Sequence, residues 1–422
     1  MRSLVLAQDF PWPADSGSML RLDAVIGALG SLGPVDLFST VQDLRSKPVQ
    51  VPATAPVARA ESPVYARRHL GPARRLGCAL RREPLEVAAR RAPGLRQALD
   101  AWAEPPYDFV WVSKGTTFAS LGSPILGPTV VDLDDLEDHK IVARLADPWF
   151  AKQYPPGAKG SAHAALARAQ ARLEVQRWKG LQQAIAAGVE AVVVCSQLDR
   201  QRLGAANAVV VANGYQPPAR TLGRPEVSPI PTVLLQGLLF YPPNAYAARW
   251  LAEEVAPILR QLVPAAEVRL VGADSPTVRR LHDPPRVTVT GRVPEMGPEL
   301  ARADIVAVPI RFGSGTRIKV LEAFAHRIPV VSTTLGAEGL DVRHGEHLLL
   351  ADTPEDFAAA CARLLEDSAL RARLAANAHE LWLARYTWAH AQAAVAALAT
   401  RLAGQPMTAV AGSQAPAPAG RP

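Results

Sequence analysis

Apolar residues fall along this chain in short blocks, and between most blocks they respace to every third or fourth position. The first block, Leu4-Val5-Leu6, runs into a turn segment rich in Pro, Gly and Ser from Pro11 to Ser18. Leu20, Leu22, Val25, Ile26 and Leu29 then follow helical spacing. Further buried blocks are Val35 to Phe38, Phe109 to Val112, Val130-Val131 before Asp132, and Val192 to Cys195, with a long helix expected from Ala164 to Ile185. Val209-Val210-Val211 closes this half at Asn213-Gly214, a turn signal. Pro217, Pro218, Pro225, Pro229 and Pro231 make a linker, which places a boundary near residue 216.

The alternation then restarts. Strands are expected at Val233 to Leu235, Val268 to Gly272, Val287 to Val289, Ile305 to Val308 and Val330 to Ser332. Helices are expected at Ala245 to Leu262, Arg317 to His326, twice from Pro354 onward, and at Thr387 to Leu402. Strand and helix in turn predict an α/β protein with two doubly wound parallel sheets. The expected units are 1–215, 216–386, a helix over 387–403 crossing back to the first unit, and a tail over 404–422. That tail is mostly Ala, Pro, Gly and Ser without periodicity, and is expected to be disordered.

Composition narrows the class. The 422 residues are 49% hydrophobic and 20% charged, which suits buried cores. No uninterrupted apolar run reaches the ~20 residues of a membrane span, and Met1 to Ala7 is too short for a signal peptide. Three scattered cysteines, Cys78, Cys195 and Cys361, form neither a disulfide framework nor a zinc motif. A reducing cytoplasm is the expected compartment, with no metal and no cofactor. Net charge is +7, and arginine pairs recur at 67–68, 74–75, 81–82 and 90–91 with Leu70, Leu76, Leu80, Leu85 and Val87 between them. This reads as a basic amphipathic stretch that touches an anionic membrane, at its inner face, or an acidic acceptor; a solvated helix face is the alternative. Without interleaved aromatics or a known motif, nucleic-acid binding is not expected.

Two open parallel sheets joined by a linker place a ligand cleft at the carboxyl ends of their strands. After Ile305 to Val308 comes Gly313-Ser314-Gly315-Thr316-Arg317-Ile318-Lys319, a glycine turn entering a helix. Exposed N–H groups there favour an anion such as a diphosphate, and Arg317 and Lys319 add positive charge where a departing diphosphate gathers negative charge. Ile318, Leu321 and Ala325 are expected to pack on the sheet. Glu322, one turn past Lys319, can accept both hydroxyls of a ribose; the bland alternative is an i,i+3 ion pair between Lys319 and Glu322.

The stretch Gly313 to Leu340, GSGTRIKVLEAFAHRIPVVSTTLGAEGL, resembles the donor-binding signature of retaining glycosyltransferases of family 4, which have the GT-B fold. Gln236-Gly237 with Tyr241 to Asn244, Val271-Gly272, Thr290 to Val293, Val210 to Gly214 and Tyr386-Thr387-Trp388 resemble further family segments in the expected order. The resemblance runs nearly to residue 400. It implies a GT-B fold, two Rossmann-like domains facing a cleft. It implies that Glu322 is the second carboxylate of the family's Glu-x7-Glu pair and holds the donor ribose. The first position is Ser314 here, a departure that puts the sugar contacts in doubt. Ser314, Gly315, Thr316, Arg317 and Lys319 are implied to lie on the donor, with Arg292 serving the same charge or the base pocket; the alternative is a surface arginine. Gly17 is implied to let the Asp15–Ser18 loop approach the phosphates, and Arg21 to face the cleft. Asp134 is implied to stand beside the reacting sugar, with Asp135 the alternate; helix N-capping by either is the competing reading. Lys114 is implied to line the acceptor side. His139, His326 and His344 are isolated surface or core residues.

The function implied is transfer of a hexose-type sugar from a nucleotide-diphosphate donor to an acceptor hydroxyl, with retention, Asp134, Lys319 and Arg317 carrying the chemistry. Polysaccharide, lipid-linked and small natural-product acceptors all fit. Asp132-Leu133-Asp134 has the letters of a metal motif but lies away from the donor segment. Two alternatives stay open: a nucleotide-sugar hydrolase or epimerase of the same fold, and a non-catalytic partner of another transferase.

Overall fold

The computed structural model describes residues 1–14, 16–42, 50–92, 94–147, 158–218, 230–313, 315 and 317–404. Asp15, Ser314, Thr316, most of the proline-rich linker and the tail beyond 404 lie outside the described residues.

Two parallel sheets carry the fold. The first contains β1 (Ser3–Ala7), β2 (Val35–Ser39), β4 (Val57–Glu61), β6 (Phe109–Ser113), β7 (Thr129–Asp134), β8 (Ala191–Val194) and β9 (Ala208–Val210), in the order β4-β2-β1-β6-β7-β8-β9. A separate two-residue pair joins β3 (Val41–Gln42) to β5 (Val64–Tyr65). The second sheet contains β10 (Thr232–Gln236), β11 (Glu267–Val271), β12 (Val287–Gly291), β13 (Ile305–Val308), β14 (Val330–Ser332) and β15 (Leu349–Leu350), in the order β12-β11-β10-β13-β14-β15. Every strand pair is parallel, so the central strands are covered on both faces and read as continuous apolar runs. In each sheet the order reverses beside its first strand, β1 against β6 and β10 against β13, and a crevice opens there at the carboxyl ends.

Three expected elements differ from what forms. The Ala245–Leu262 helix begins at Pro242 and passes through a π turn at Leu251–Val255 before continuing over Ala256–Leu262. Pro257 has no N–H to give the preceding turn and its ring crowds it, which the wider turn relieves. The basic stretch is not one amphipathic helix but two short ones, Pro72–Leu80 and Leu85–Arg90. Several of its arginines bind acids: Arg67 and Arg90 meet Glu86, while Arg81 and Arg91 meet Glu83. Ile318, expected to pack on the second sheet, instead joins the apolar cluster of the first.

The Trp388–Ala403 helix lies against the Gly17–Gly30 helix, and Trp388, Val395, Leu398 and Leu402 belong to the core over β1. Leu398 is 4% exposed. Leu398→Ala is therefore expected to cost about 2–5 kcal/mol in urea unfolding, the usual range for an enclosed leucine. A loss near zero would mean that this helix is not part of the first domain's core. Among the described residues, no helix is long and apolar enough to cross a membrane.

Candidate functional site

The carboxyl ends of both sheets meet across one cleft. On the second sheet, the chain leaving β13 turns through Gly313 and Gly315, with φ of +125° and +76°, and enters the Ile318–Ala325 helix, whose N-cap is Arg317. The Arg317 guanidinium lies along the loop: a β-carbon on Gly313 would stand 2.9 Å from its Nη2. Lys319 Nζ donates to Asn244 Oδ1 at 2.9 Å. Burial, then the Arg317 charge, push the Lys319 ammonium down to about 7, against the opposing pull of Glu322.

Glu322 accepts from the Tyr215 hydroxyl on one oxygen (2.9 Å) and from Gln236 Nε2 on the other (3.2 Å). Burial raises its pKa, and the two hydrogen bonds oppose that. The bland i,i+3 ion pair therefore does not form, since Lys319 and Glu322 each turn to other partners. An sp² oxygen has two lone-pair directions, so each Glu322 oxygen keeps one acceptor site. Arg292 follows β12 on an exposed turn.

On the first sheet, Ser16 caps the Gly17–Gly30 helix by accepting from Met19 N. A β-carbon on Gly17 would stand 3.0 Å from Ile318 Cδ1, so this loop meets the start of the Ile318–Ala325 helix. Arg21 does not face the cleft. It is 4% exposed and grips Asp132 through Nε (2.7 Å) and Nη2 (2.9 Å). Its Nη1 donates to Val211 O and Asn213 Oδ1, both at 2.9 Å. A buried guanidinium needs a carboxylate and carbonyls, and here two chain segments, Asp132 and the Val211–Asn213 stretch, supply them.

Asp134 ends β7 with φ +56°, beside Lys114 at the end of β6 with φ +73°. The pairing of β7 with β8 shifts register between Asp132 and Asp134. Non-glycine residues in the left-handed region carry strain, and such positions gather at functional sites. Asp134 Oδ1 accepts from Cys195 Sγ at 3.1 Å. Burial pulls its carboxyl up, but Arg21, Lys114 and the Cys195 thiol outweigh it and hold the group below the usual carboxylate range. Asp135 goes the other way, pushed up to about 6 by burial and by Asp134 and Glu137 despite Lys140 and Arg317. Neither aspartate caps a helix: the Glu137–Ala146 helix starts from Leu136, with no side-chain cap. Two adjacent carboxyls with separated titrations are what acid–base or charge-pairing work uses.

Asp135, not Asp134, reaches the glycine loop. A β-carbon on Gly315 would stand 1.7 Å from Asp135 Oδ1. Gly315 is thus required twice, by its φ and by this approach. The lobes also meet at Arg202 and Glu338 (2.7 and 2.9 Å), and at Asp147, which accepts from Arg311 Nε (3.1 Å) and the Tyr246 hydroxyl (3.3 Å). Behind Asp135 a small recess, with room for about one water, is lined by Lys114, Thr116, Glu137, Trp178 and Gln182 among others. Among the described residues, no group of three His, Cys, Asp or Glu side chains is placed to hold a metal ion.

Sequence reasoning missed Asn244, Tyr215 and Gln236 as partners of Lys319 and Glu322. Gln236 and Asn244 stand in segments that the resemblance covers, but nothing local pairs them, or Tyr215, with Lys319 and Glu322.

Residues 230–367 match the family model described as Glycosyl transferases group 1. No curated protein matches the chain in sequence. Solved structures match almost its whole length. Sucrose-phosphate synthase from Thermosynechococcus elongatus is 18% identical with a TM-score of 0.67, over 95% of this chain and 99% of that one. Anabaena HepE in complex with UDP-glucose is 16% identical with a TM-score of 0.61, over 95% and 100%. A glycosyltransferase from Rickettsia africae is 12% identical with a TM-score of 0.59, over 96% and 99%. Residues 230–367 are therefore similar to a glycosyl transferases group 1 domain, and the chain has the GT-B fold of these solved structures.

Proposed function

We propose that the chain moves a hexose-type sugar from a nucleoside-diphosphate donor to an acceptor hydroxyl, with retention of anomeric configuration. The observation that carries this reading is the partly buried Lys319 ammonium behind the Gly313–Gly315 turn, with Arg317 along the same loop and Glu322 one turn further on. Free N–H groups of a helix start and two cations make a diphosphate seat. Glu322 beside it accepts ribose hydroxyls. HepE, of the same fold, is solved with UDP-glucose.

In this scheme residues 1–215 form the acceptor domain, 216–386 the donor domain and 387–403 the closing helix. The bond between the anomeric carbon and the β-phosphate oxygen breaks, and its electron pair leaves with the diphosphate. Lys319, Arg317 and the loop amides hold that growing charge. The acceptor oxygen bonds to the anomeric carbon on the same face, and its proton passes to the departing phosphate oxygen. Asp134, kept ionised by Arg21 and Lys114, stands where positive charge develops on the sugar. Gly17 brings its loop to the phosphates and Arg292 flanks the nucleotide; Ser314 and Thr316, outside the described residues, are assigned to the donor by the family resemblance. Lys114 lines the acceptor side. Leu76 and Leu80, 63% and 80% exposed among arginines on the Pro72–Leu80 helix, give the acceptor domain a face for an anionic membrane or acceptor.

Calorimetry with UDP, GDP, dTDP and ADP tests the seat. One of them is expected to bind, with an affinity that falls as pH rises above 7. The sign follows from Lys319: it is half-protonated near pH 7 in the free protein, and a bound diphosphate raises its pKa, so binding takes up a proton. Above pH 7 that proton must come from solvent, and affinity weakens. Repeating the titration in buffers of different ionisation enthalpy reads the uptake directly. If none of the four binds, the reading is wrong.

A further inference from the structure

The chain passes between its two lobes twice, and the passages run side by side at Tyr215 and Thr387. Tyr215, which follows Asn213-Gly214, donates its N–H to Tyr386 O at 2.9 Å and bridges in parallel to Thr387. A β-carbon on Gly214 would stand 2.7 Å from Trp388 N, so the two segments touch with no room for a side chain between them. With its backbone pinned at this crossing, Tyr215 sends its hydroxyl to Glu322 Oε1 at 2.9 Å. Its ring packs edge-on against His326, the centroids 6.1 Å apart. Gln236, at the end of β10, donates to the other Glu322 oxygen.

Ribose hydroxyls are donors, and only an ionised carboxylate offers all of its lone pairs to them. Burial works against that charge at Glu322, while the Gln236 and Tyr215 bonds and the Lys319 ammonium favour it. One bond to each oxygen also fixes the direction in which the remaining lone pairs point. We propose that Tyr215 is a positioning residue for nucleoside recognition: from the crossing between the lobes it holds the Glu322 carboxylate ionised and aimed at the ribose hydroxyls.

This rests on the ribose role given to Glu322 above, so the test keeps the two apart. Calorimetry follows UDP, GDP, dTDP and ADP, and inorganic pyrophosphate, which carries no ribose, in wild type and Tyr215→Phe between pH 6 and 8. Phenylalanine keeps the ring against His326 and removes one of the two neutral donors, so Glu322 stays protonated to a higher pH. The tightest-binding nucleotide is expected to lose about 10-fold in affinity at pH 6, the low end for a hydrogen bond to a charged group. That loss should shrink toward pH 8, as Glu322 becomes ionised in both proteins. Lys319 and His326 are present in both, so their own titrations cancel in the comparison. Pyrophosphate should bind the two proteins equally, and Tyr215→Phe should change nothing in a Glu322→Gln background. Unchanged nucleotide affinity at pH 6, a loss shared by pyrophosphate, a loss that does not vary with pH, or one that persists beside Glu322→Gln overturns the proposal. Wild type that binds pyrophosphate but none of the nucleotides would remove the ribose role of Glu322, and this inference with it. Wild type that binds neither would remove the diphosphate seat as well.

Discussion

Lys319→Met is expected to lower the rate of donor turnover by about 10²–10³-fold, the usual effect of deleting one preorganised group that meets developing charge. The side chain keeps its length and loses only its ammonium. That ammonium is costly in the free protein, as its pKa of about 7 shows. A partly buried cation beside Arg317, with Asn244 Oδ1 as its hydrogen-bond acceptor, is an arrangement that folding alone does not favour. Removing it should leave the melting temperature unchanged or raised while activity collapses, the trade-off expected where a site is destabilised for its task. Single-turnover consumption of radiolabelled donor reads the first quantity, and calorimetric melting the second. Wild-type turnover in a well-folded Lys319→Met protein would remove Lys319 from the diphosphate seat. Lys319→Arg is not expected to rescue, since a planar fork cannot occupy the place of a point charge against Asn244.

The sheets were legible because central parallel strands must be apolar on both faces, and blocks such as Val192 to Cys195 have no other stable use. Val57–Glu61 was missed for the same reason: as an edge strand it is mostly exposed and reads Val-Ala-Arg-Ala-Glu. The glycine turn at Gly313 and Gly315 and the helix start after it were legible because the glycines and cations are contiguous, so one segment carries the whole pattern. The first-domain side was not. Arg21, Asp132, Cys195 and Asn213 lie up to 192 positions apart, and only the fold brings them together. The one local hint was an arginine directly beside Leu22, on the face where Val25 and Ile26 are buried. Nor does spacing choose between Asp134 and Asp135, because alternation along a strand fails at a register shift.

Arg21→Met should cost the fold about 3–5 kcal/mol, because it leaves the Asp132 carboxylate buried without its cation. Asp132 is 2% exposed and both of its oxygens face the guanidinium. The other Arg21 bonds tie the Gly17–Gly30 helix to Val211 and Asn213, the segment that leads through Tyr215 to Glu322. One residue thus holds together the helix under Gly17, the strand bearing Asp134 and the connection to the second domain. Urea unfolding should show the loss at pH 7.5, with part of it recovered in Arg21→Met/Asp132→Asn, where the buried Asp132 charge is gone and Asp134 keeps only Lys114 and the Cys195 thiol. The pH dependence has a definite sign. Burial already holds the Asp132 pKa above its unfolded value of about 4 against the pull of Arg21; without Arg21 it rises further, so the cost of the variant is largest at neutral pH and fades as pH falls toward that value. A single variant as stable as wild type at pH 7.5, or a double variant no better than the single, would show that this buried pair does not hold the first domain to the linker.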